Sequence, residues 1–198
     1  MNIDTEHLHH WIQAIRKSSD PMRTMDAFWQ GQLKSKEWLI THLTNYIPMK
    51  PTIEIHGGWI GVLASMLFQT LELDIQSITS VDIDADCQPL AEEVNRIEYH
   101  QNRFRAETGN MCIRNPATDV VINTSCEHIS QLQYDTWLTN MRKNQLLVLQ
   151  SNNYSIEEHI RTTSSLDEFK EQSQLSVIYF SGELQLAKYT RFMLIGRK

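Results

Sequence analysis

The sequence is short of the features that mark specialised proteins. Its three cysteines, Cys87, Cys112 and Cys126, are odd in number and widely spaced. That matches neither a disulfide framework nor the paired ligands of a zinc site, and they read as small buried residues. No apolar run is long enough to span a bilayer and no signal-peptide pattern opens the chain, so a cytoplasmic protein with no membrane partner is expected. Basic residues are outnumbered, 18 Lys and Arg against 24 Asp and Glu, for a formal net charge of -6. A chain so charged lacks the footprint of a polyanion binder, which disfavours a large nucleic-acid partner. There is no Gly-Lys-Ser/Thr phosphate loop, no Gly-x-Ser-x-Gly and no His-Glu-x-x-His. Internal repeats and low-complexity tracts are also missing.

What remains is an ordinary globular composition, 41% hydrophobic and 21% charged over 198 residues. That is enough for one domain with a continuous core. Residues 1–50 read as a helical cap. Leu8, Trp11, Ile12 and Ile15 recur at helical spacing and predict one apolar face. Asp20 and Pro21 have the character of an N-cap and first helical position, and Met22, Met25, Phe28 and Trp29 continue the stripe until Gly31, which is expected to end or kink it. Trp38, Leu39, Leu43 and Ile47 predict a further helix, closed by Pro48 and Pro51. His7 and His10 lie three apart on the first helix with His9 between, a setting more typical of an exposed helix than of a metal. No metal site is expected.

From residue 51 to 198 short apolar runs alternate with amphipathic stretches, the signature of βαβ units and a parallel sheet. The runs are Ile53–Ile55, Ile78–Ile83, Asp119–Ile122 and Leu146–Gln150, with a shorter strand at Phe104–Glu107. A helix is predicted over Gly61–Leu73, and Ser130 with Gln133, and Ser165 with Glu168, have capping-box spacing. Ser176–Leu184 and Arg191–Gly196 follow each other with no helix between, so they must pair antiparallel.

The strongest constellation is Ile53-Glu54-Ile55-His56-Gly57-Gly58-Trp59-Ile60-Gly61, a strand entering a glycine turn and then a helix. Glycines there let the backbone approach a ligand. About twenty residues on comes Asp82, where a carboxylate can accept from both ribose hydroxyls. Asn110, with Met111 beside it, stands at the tip of the third strand, where an amide can meet an adenine edge. Asn123 and Thr124 follow the fourth strand, in the crevice where open α/β sheets bind ligands.

On these residues the chain resembles a class I S-adenosylmethionine-dependent methyltransferase from about Thr52 to the C-terminus. In Val120–Ile129 and Gln150–Tyr154 it is similar to small phage-encoded members. The resemblance implies an α/β fold with a Rossmann-like, mostly parallel sheet of seven strands ending in an antiparallel hairpin. It also implies S-adenosyl-L-methionine as cofactor. Glu54, Gly57 and Gly58 then fall to the methionine part, Asp82 to the ribose, and Ile83 and Asn110 to the adenine. His56 and Ile60 depart from the family's small-residue spacing, and Trp59 must either cover the ligand or pack under the cap.

The methyl acceptor is expected to be a small polar molecule. His128 and Glu127, just past the fourth strand, are candidates for proton transfer, and Tyr154, past the fifth, for hydrogen bonding to the acceptor. The Asn-Pro-Pro-aromatic sequence of base amino-group methyltransferases is missing after the fourth strand, where Asn123-Thr124-Ser125 stands. Two other activities fit the same pattern: a catalytically inactive binding protein on this fold, and an enzyme that cleaves the cofactor.

Overall fold

The computed structural model describes residues 5–198. Three helices come first: α1 (Thr5–Lys17), α2 (Pro21–Asp26) and α3 (Gln30–Leu43). Asp20 caps α2 by accepting from the Arg23 backbone N–H at 3.0 Å, with Pro21 in the first turn, as its spacing predicts. The apolar stripe of α1 is rotated from its expected position. His7, Trp11 and Ala14 are buried, whereas Leu8 and Ile12 are exposed. The inward face is set by polar pairing: the Trp11 indole N–H donates to Ser65 Oγ at 3.0 Å, and His7 Nε2 meets Glu98 at 3.0 Å. A histidine expected on an exposed face therefore sits inside.

The break between α2 and α3 also falls elsewhere than expected. Backbone i→i−3 bonds from Ala27, Phe28 and Trp29 tighten the end of α2, and Phe28 packs on Trp11 at 5.1 Å between ring centroids. Gly31 thus lies in the first turn of α3 and breaks nothing. Met22, Met25 and Trp29 are exposed rather than part of a buried stripe.

The remainder alternates strand and helix: β1 (Thr52–His56), α4 (Val62–Phe68), β2 (Ser77–Asp82), α5 (Cys87–Val94), α6 (Arg96–His100), β3 (Phe104–Thr108), β4 (Val120–Asn123), α7 (Gln131–Asn140), β5 (Leu146–Asn152), α8 (Leu166–Ser173), β6 (Val177–Gln185) and β7 (Thr190–Arg197). The seven strands form one sheet in the order β3-β2-β1-β4-β5-β7-β6. Strands β1 to β5 pair in parallel, while β7 is antiparallel to both β5 and β6. This is the Rossmann-like plan with an antiparallel C-terminal pair. Helix α4 is shorter than its periodicity predicts, because Thr70 turns back onto Leu67 and leaves Leu71 exposed.

Both faces of the sheet are covered, so its central strands are apolar on alternate sides. Ile53, Ile55, Val120, Ile122, Val148, Met193 and Ile195 face a core shared with α1, α3, α4 and α5. Val121, Leu147, Leu149, Phe192 and Leu194 face a second core under α7 and α8. The three cysteines are buried and free. Burial pushes the Cys87 and Cys126 thiols up to about 12, so neither supplies a thiolate near neutral pH.

Candidate active site

Sheet order reverses direction at β1 and β4, and the crevice of an open α/β sheet lies outside the carboxyl ends of the strands at such a point. A cleft of about 1210 Å³ opens there. A smaller depression of about 380 Å³ lies at the opposite end of the sheet, by Asp119 and Leu146 at the starts of β4 and β5.

The glycine turn forms the floor. Gly57 has φ +63°, and a Cβ there would come within 2.7 Å of the Ser125 side chain. Only glycine fits both the dihedral and the space. Trp59 also has positive φ, 48°, and its backbone N–H donates to Asp82 Oδ2 at 2.8 Å. The other carboxylate oxygen, Oδ1, accepts from the Asp84 N–H at 3.1 Å. Asp82 therefore holds the glycine turn and stands on the cleft wall at once, and each oxygen keeps lone-pair capacity for a ligand hydroxyl. Ile83, Asn110, Met111 and Thr124 line the same wall. Asn110 caps a short 3₁₀ turn by accepting from the Cys112 N–H at 2.9 Å.

Four of the expected cofactor residues do not reach the cleft lining. Glu54 is buried beneath the floor in a two-pronged pair with Arg114, at 3.0 and 3.1 Å, and accepts from His56 Nε2 at 2.8 Å. Burial alone would push its carboxyl up. The hydrogen bonds from His56 and Arg114 outweigh that and hold it below the ordinary carboxylate range. His56 is fully enclosed, and its Nδ1 accepts from the Trp137 indole N–H at 2.7 Å. The side chain that breaks the small-residue spacing thus points to the α7 side of the sheet, away from any ligand. Gly61, φ +75°, begins α4 where a Cβ would strike Asn95, a packing requirement. Asn123 is buried, with its Oδ1 accepting from the Ser125 N–H at 2.9 Å.

At the other end of the cleft stand Glu127, His128, Asn152 and Tyr154. Glu127 is buried. Its Oε1 accepts from Arg191 at 2.8 Å and from Asn152 Nδ2 at 2.5 Å. His128 is exposed to the cleft, with Nδ1 donating to the Glu158 carbonyl at 3.1 Å, which leaves Nε2 as the lone-pair nitrogen. Tyr154 stacks on Tyr189 at 5.4 Å.

Several lining residues have no signature in the sequence. Lys36, from α3, donates to Gln32 Oε1 at 2.9 Å, and burial followed by the nearby charge of Arg191 pushes its ammonium down to about 7. Arg191 and Tyr189 come from β7 and the turn before it, and His159 from the segment after β5. Each belongs to an element remote in sequence from the glycine turn, so no local spacing marks it. Trp29, expected to continue the apolar stripe, stands exposed on the lip.

No protein-family model and no curated protein sequence matches the chain. Its fold does match solved structures. Magnesium protoporphyrin IX methyltransferase from Synechocystis PCC 6803, solved with S-adenosylhomocysteine, aligns over 98% of this chain and 95% of its own, with TM-score 0.68 and 12% identity. An N-methyltransferase from Bradyrhizobium japonicum WM9, also with S-adenosylhomocysteine, aligns over 97% and 98%, with TM-score 0.66 and 10% identity. A pyocyanin biosynthetic protein aligns over 95% of this chain, which spans 62% of that protein's length, with TM-score 0.66 and 12% identity. Methyltransferases thus recur among the structural neighbours, two of them holding S-adenosylhomocysteine, and at these identities the likeness is one of fold.

Proposed function

We propose that the chain transfers the methyl group of S-adenosyl-L-methionine to a small polar acceptor. The observation that carries this reading is one continuous cleft joining the glycine turn and Asp82 to His128, Asn152 and Tyr154. At about 1210 Å³ it exceeds the roughly 300–1,000 Å³ of a pocket for one small ligand, leaving room for donor and acceptor together. The shared features of Val120–Ile129 and Gln150–Tyr154 support a place among the small phage-encoded members.

The residues present fit an adenosyl ligand. Asp82 would take the ribose hydroxyls. The Gly57–Gly58 turn would leave space for the methionine part, and Ile83, Asn110 and Met111 would flank the adenine. When bound, the sulfonium supplies an electrophilic methyl that needs little activation, so the protein's task is alignment and exclusion of water. The corner between α2 and α3 suits that task, because Ala27, Trp29 and Gln30 roof the cleft and Arg23 anchors the corner to Asp84 at 2.6 Å. Asn152 and Tyr154 would orient the acceptor. His128, its tautomer set by the Glu158 carbonyl, can take a proton at Nε2. Glu127 acts through others: bonded to Arg191 and Asn152, it fixes their positions.

Calorimetric titration with S-adenosylhomocysteine tests the reading. Saturable one-to-one binding is expected, and Asp82→Ala should weaken it by on the order of 1–3 kcal/mol, the scale of hydrogen bonds to a charged group. No heat with the unaltered chain overturns the proposal. Cofactor loss without any acceptor would identify a cleaving enzyme instead, and binding without turnover a non-catalytic one.

A further inference from the structure

At the acceptor end, one donor atom from each of Glu127, His128 and His159 lies within 4.8 Å of the other two. The fold builds this convergence deliberately. The backbone N–H groups of Ile160 and Arg161 both donate to the Glu127 carbonyl, at 2.9 and 3.0 Å, which pins the segment after β5 against the turn after β4. In return His128 Nδ1 donates to the Glu158 carbonyl at 3.1 Å, and His159 Nδ1 to the Tyr154 carbonyl at 2.6 Å. A carbonyl can only accept, so both imidazoles carry their proton on Nδ1 and their lone pair on Nε2. Tying one ring nitrogen to a carbonyl is how proteins orient a histidine whose other nitrogen binds a metal.

The carboxylate shows the same bias. Glu127 Oε1 is satisfied by Arg191 and Asn152, yet Oε2 is fully buried and accepts no hydrogen bond. A buried carboxylate oxygen without a donor is costly. Glu127 lines the same cleft as the two imidazoles, so this unpartnered oxygen belongs to the residue on which they converge.

We infer that Glu127, His128 and His159 form a binding site for a divalent transition-metal ion. Two imidazoles and one carboxylate suit zinc, iron(II) or manganese(II) and leave further positions open toward the cleft. Bonds of about 2.0–2.1 Å put tetrahedral donors roughly 3.3–3.4 Å apart, so donors as far as 4.8 Å apart must each move inward by up to roughly 0.8 Å. The exposed ring of His128 and the half-buried ring of His159 can do that by rotation. Because Arg191 offsets the charge of Glu127, the bound dication is left to be balanced by the ligand. That points to an acceptor bearing an anionic oxygen, a carboxylate or an acidic hydroxyl. With the ion bound, His128 Nε2 is a ligand and no longer takes a proton, a step that an acceptor oxygen already anionic does not need. This assignment of the acceptor rests on the proposed methyl transfer; the cation site does not.

The test uses tag-free full chain and zinc chloride, then manganese chloride, followed by calorimetry and by elemental analysis after gel filtration. One equivalent of one of the two metals is expected to remain bound. His159→Ala and His128→Ala should each weaken binding at least 100-fold, with unchanged far-ultraviolet circular dichroism. Binding of the same strength and stoichiometry in both variants would place the metal on other histidines and overturn the inference, as would no binding of either metal to the unaltered chain. A parallel titration with S-adenosylhomocysteine separates the two proposals. Adenosyl binding without metal binding removes the cation site alone, and metal binding without adenosyl binding removes the methyl-transfer reading alone.

Discussion

Glu54 illustrates how a residue picked out by its place in a motif can serve the fold beneath the site. Enclosed with His56 and Arg114, it forms part of a buried charge network, and removing one partner of such a network leaves the others uncompensated. Glu54→Gln should therefore cost about 3–5 kcal/mol in urea unfolding at pH 7. Since its carboxyl is held below the ordinary range, the stabilisation is complete above the unfolded value. It is lost as pH falls through the folded one, so the deficit of the variant should shrink toward pH 3. A constant deficit would assign the loss to packing. Lys36 works in the opposite direction. Its ammonium is pushed down to about 7; below that pH it is charged in both states and its burial opposes folding. Between about pH 7 and the ordinary lysine value near 10.4 the folded chain has released a proton that the unfolded chain keeps, so stability rises with pH across this window. Lys36→Met should flatten that slope and raise the thermal midpoint at pH 6 by at least ~2–4 °C, the equivalent of about 1 kcal/mol. An unchanged slope would show that Lys36 titrates normally.

At the scale of elements, legibility followed the range of the interactions involved. The strands, the glycine turn and the antiparallel ending were readable because β-alternation, turn chemistry and connection length are local. The caps at Asp20 and Ser130 were readable for the same reason, and the structure keeps both. The inward face of α1 was not, because it is chosen by Ser65 and Glu98, partners 54 and 91 residues away. The site divides likewise. Asp82, Gly57, Gly58, Trp59, Ile83, Asn110, Met111 and Thr124 reach the cleft as their positions at strand ends imply, and so do Glu127, His128 and Tyr154. Glu54 and His56 lie on the far side of β1. Strand alternation alone could have shown that they share a face opposite Ile53 and Ile55. Lys36, His159 and Arg191 arrive from separate elements, and only the tertiary fold brings them together.

For the molecule as a whole, the division between helical cap and α/β portion is one of sequence pattern and not of packing. Trp11, Leu39, Ile40 and Leu43 from the cap are buried in the same cluster as Ile55, Leu63 and Leu67, so neither part completes a core alone. A cap and a sheet that share a core should unfold in a single transition. Trp11→Ala removes a nearly enclosed side chain, 4% exposed, together with its bond to Ser65. It should cost about 3–5 kcal/mol. That loss should move the whole transition down, with near- and far-ultraviolet dichroism changing together, because α1 and the sheet share the lost contact. If the cap instead melted first while the far-ultraviolet signal of the sheet held, the two parts would be separate cooperative units. The cleft roof at Ala27–Gln30 would then open independently of the floor. A coincident shift ties roof and floor into one rigid frame, as alignment of donor and acceptor requires.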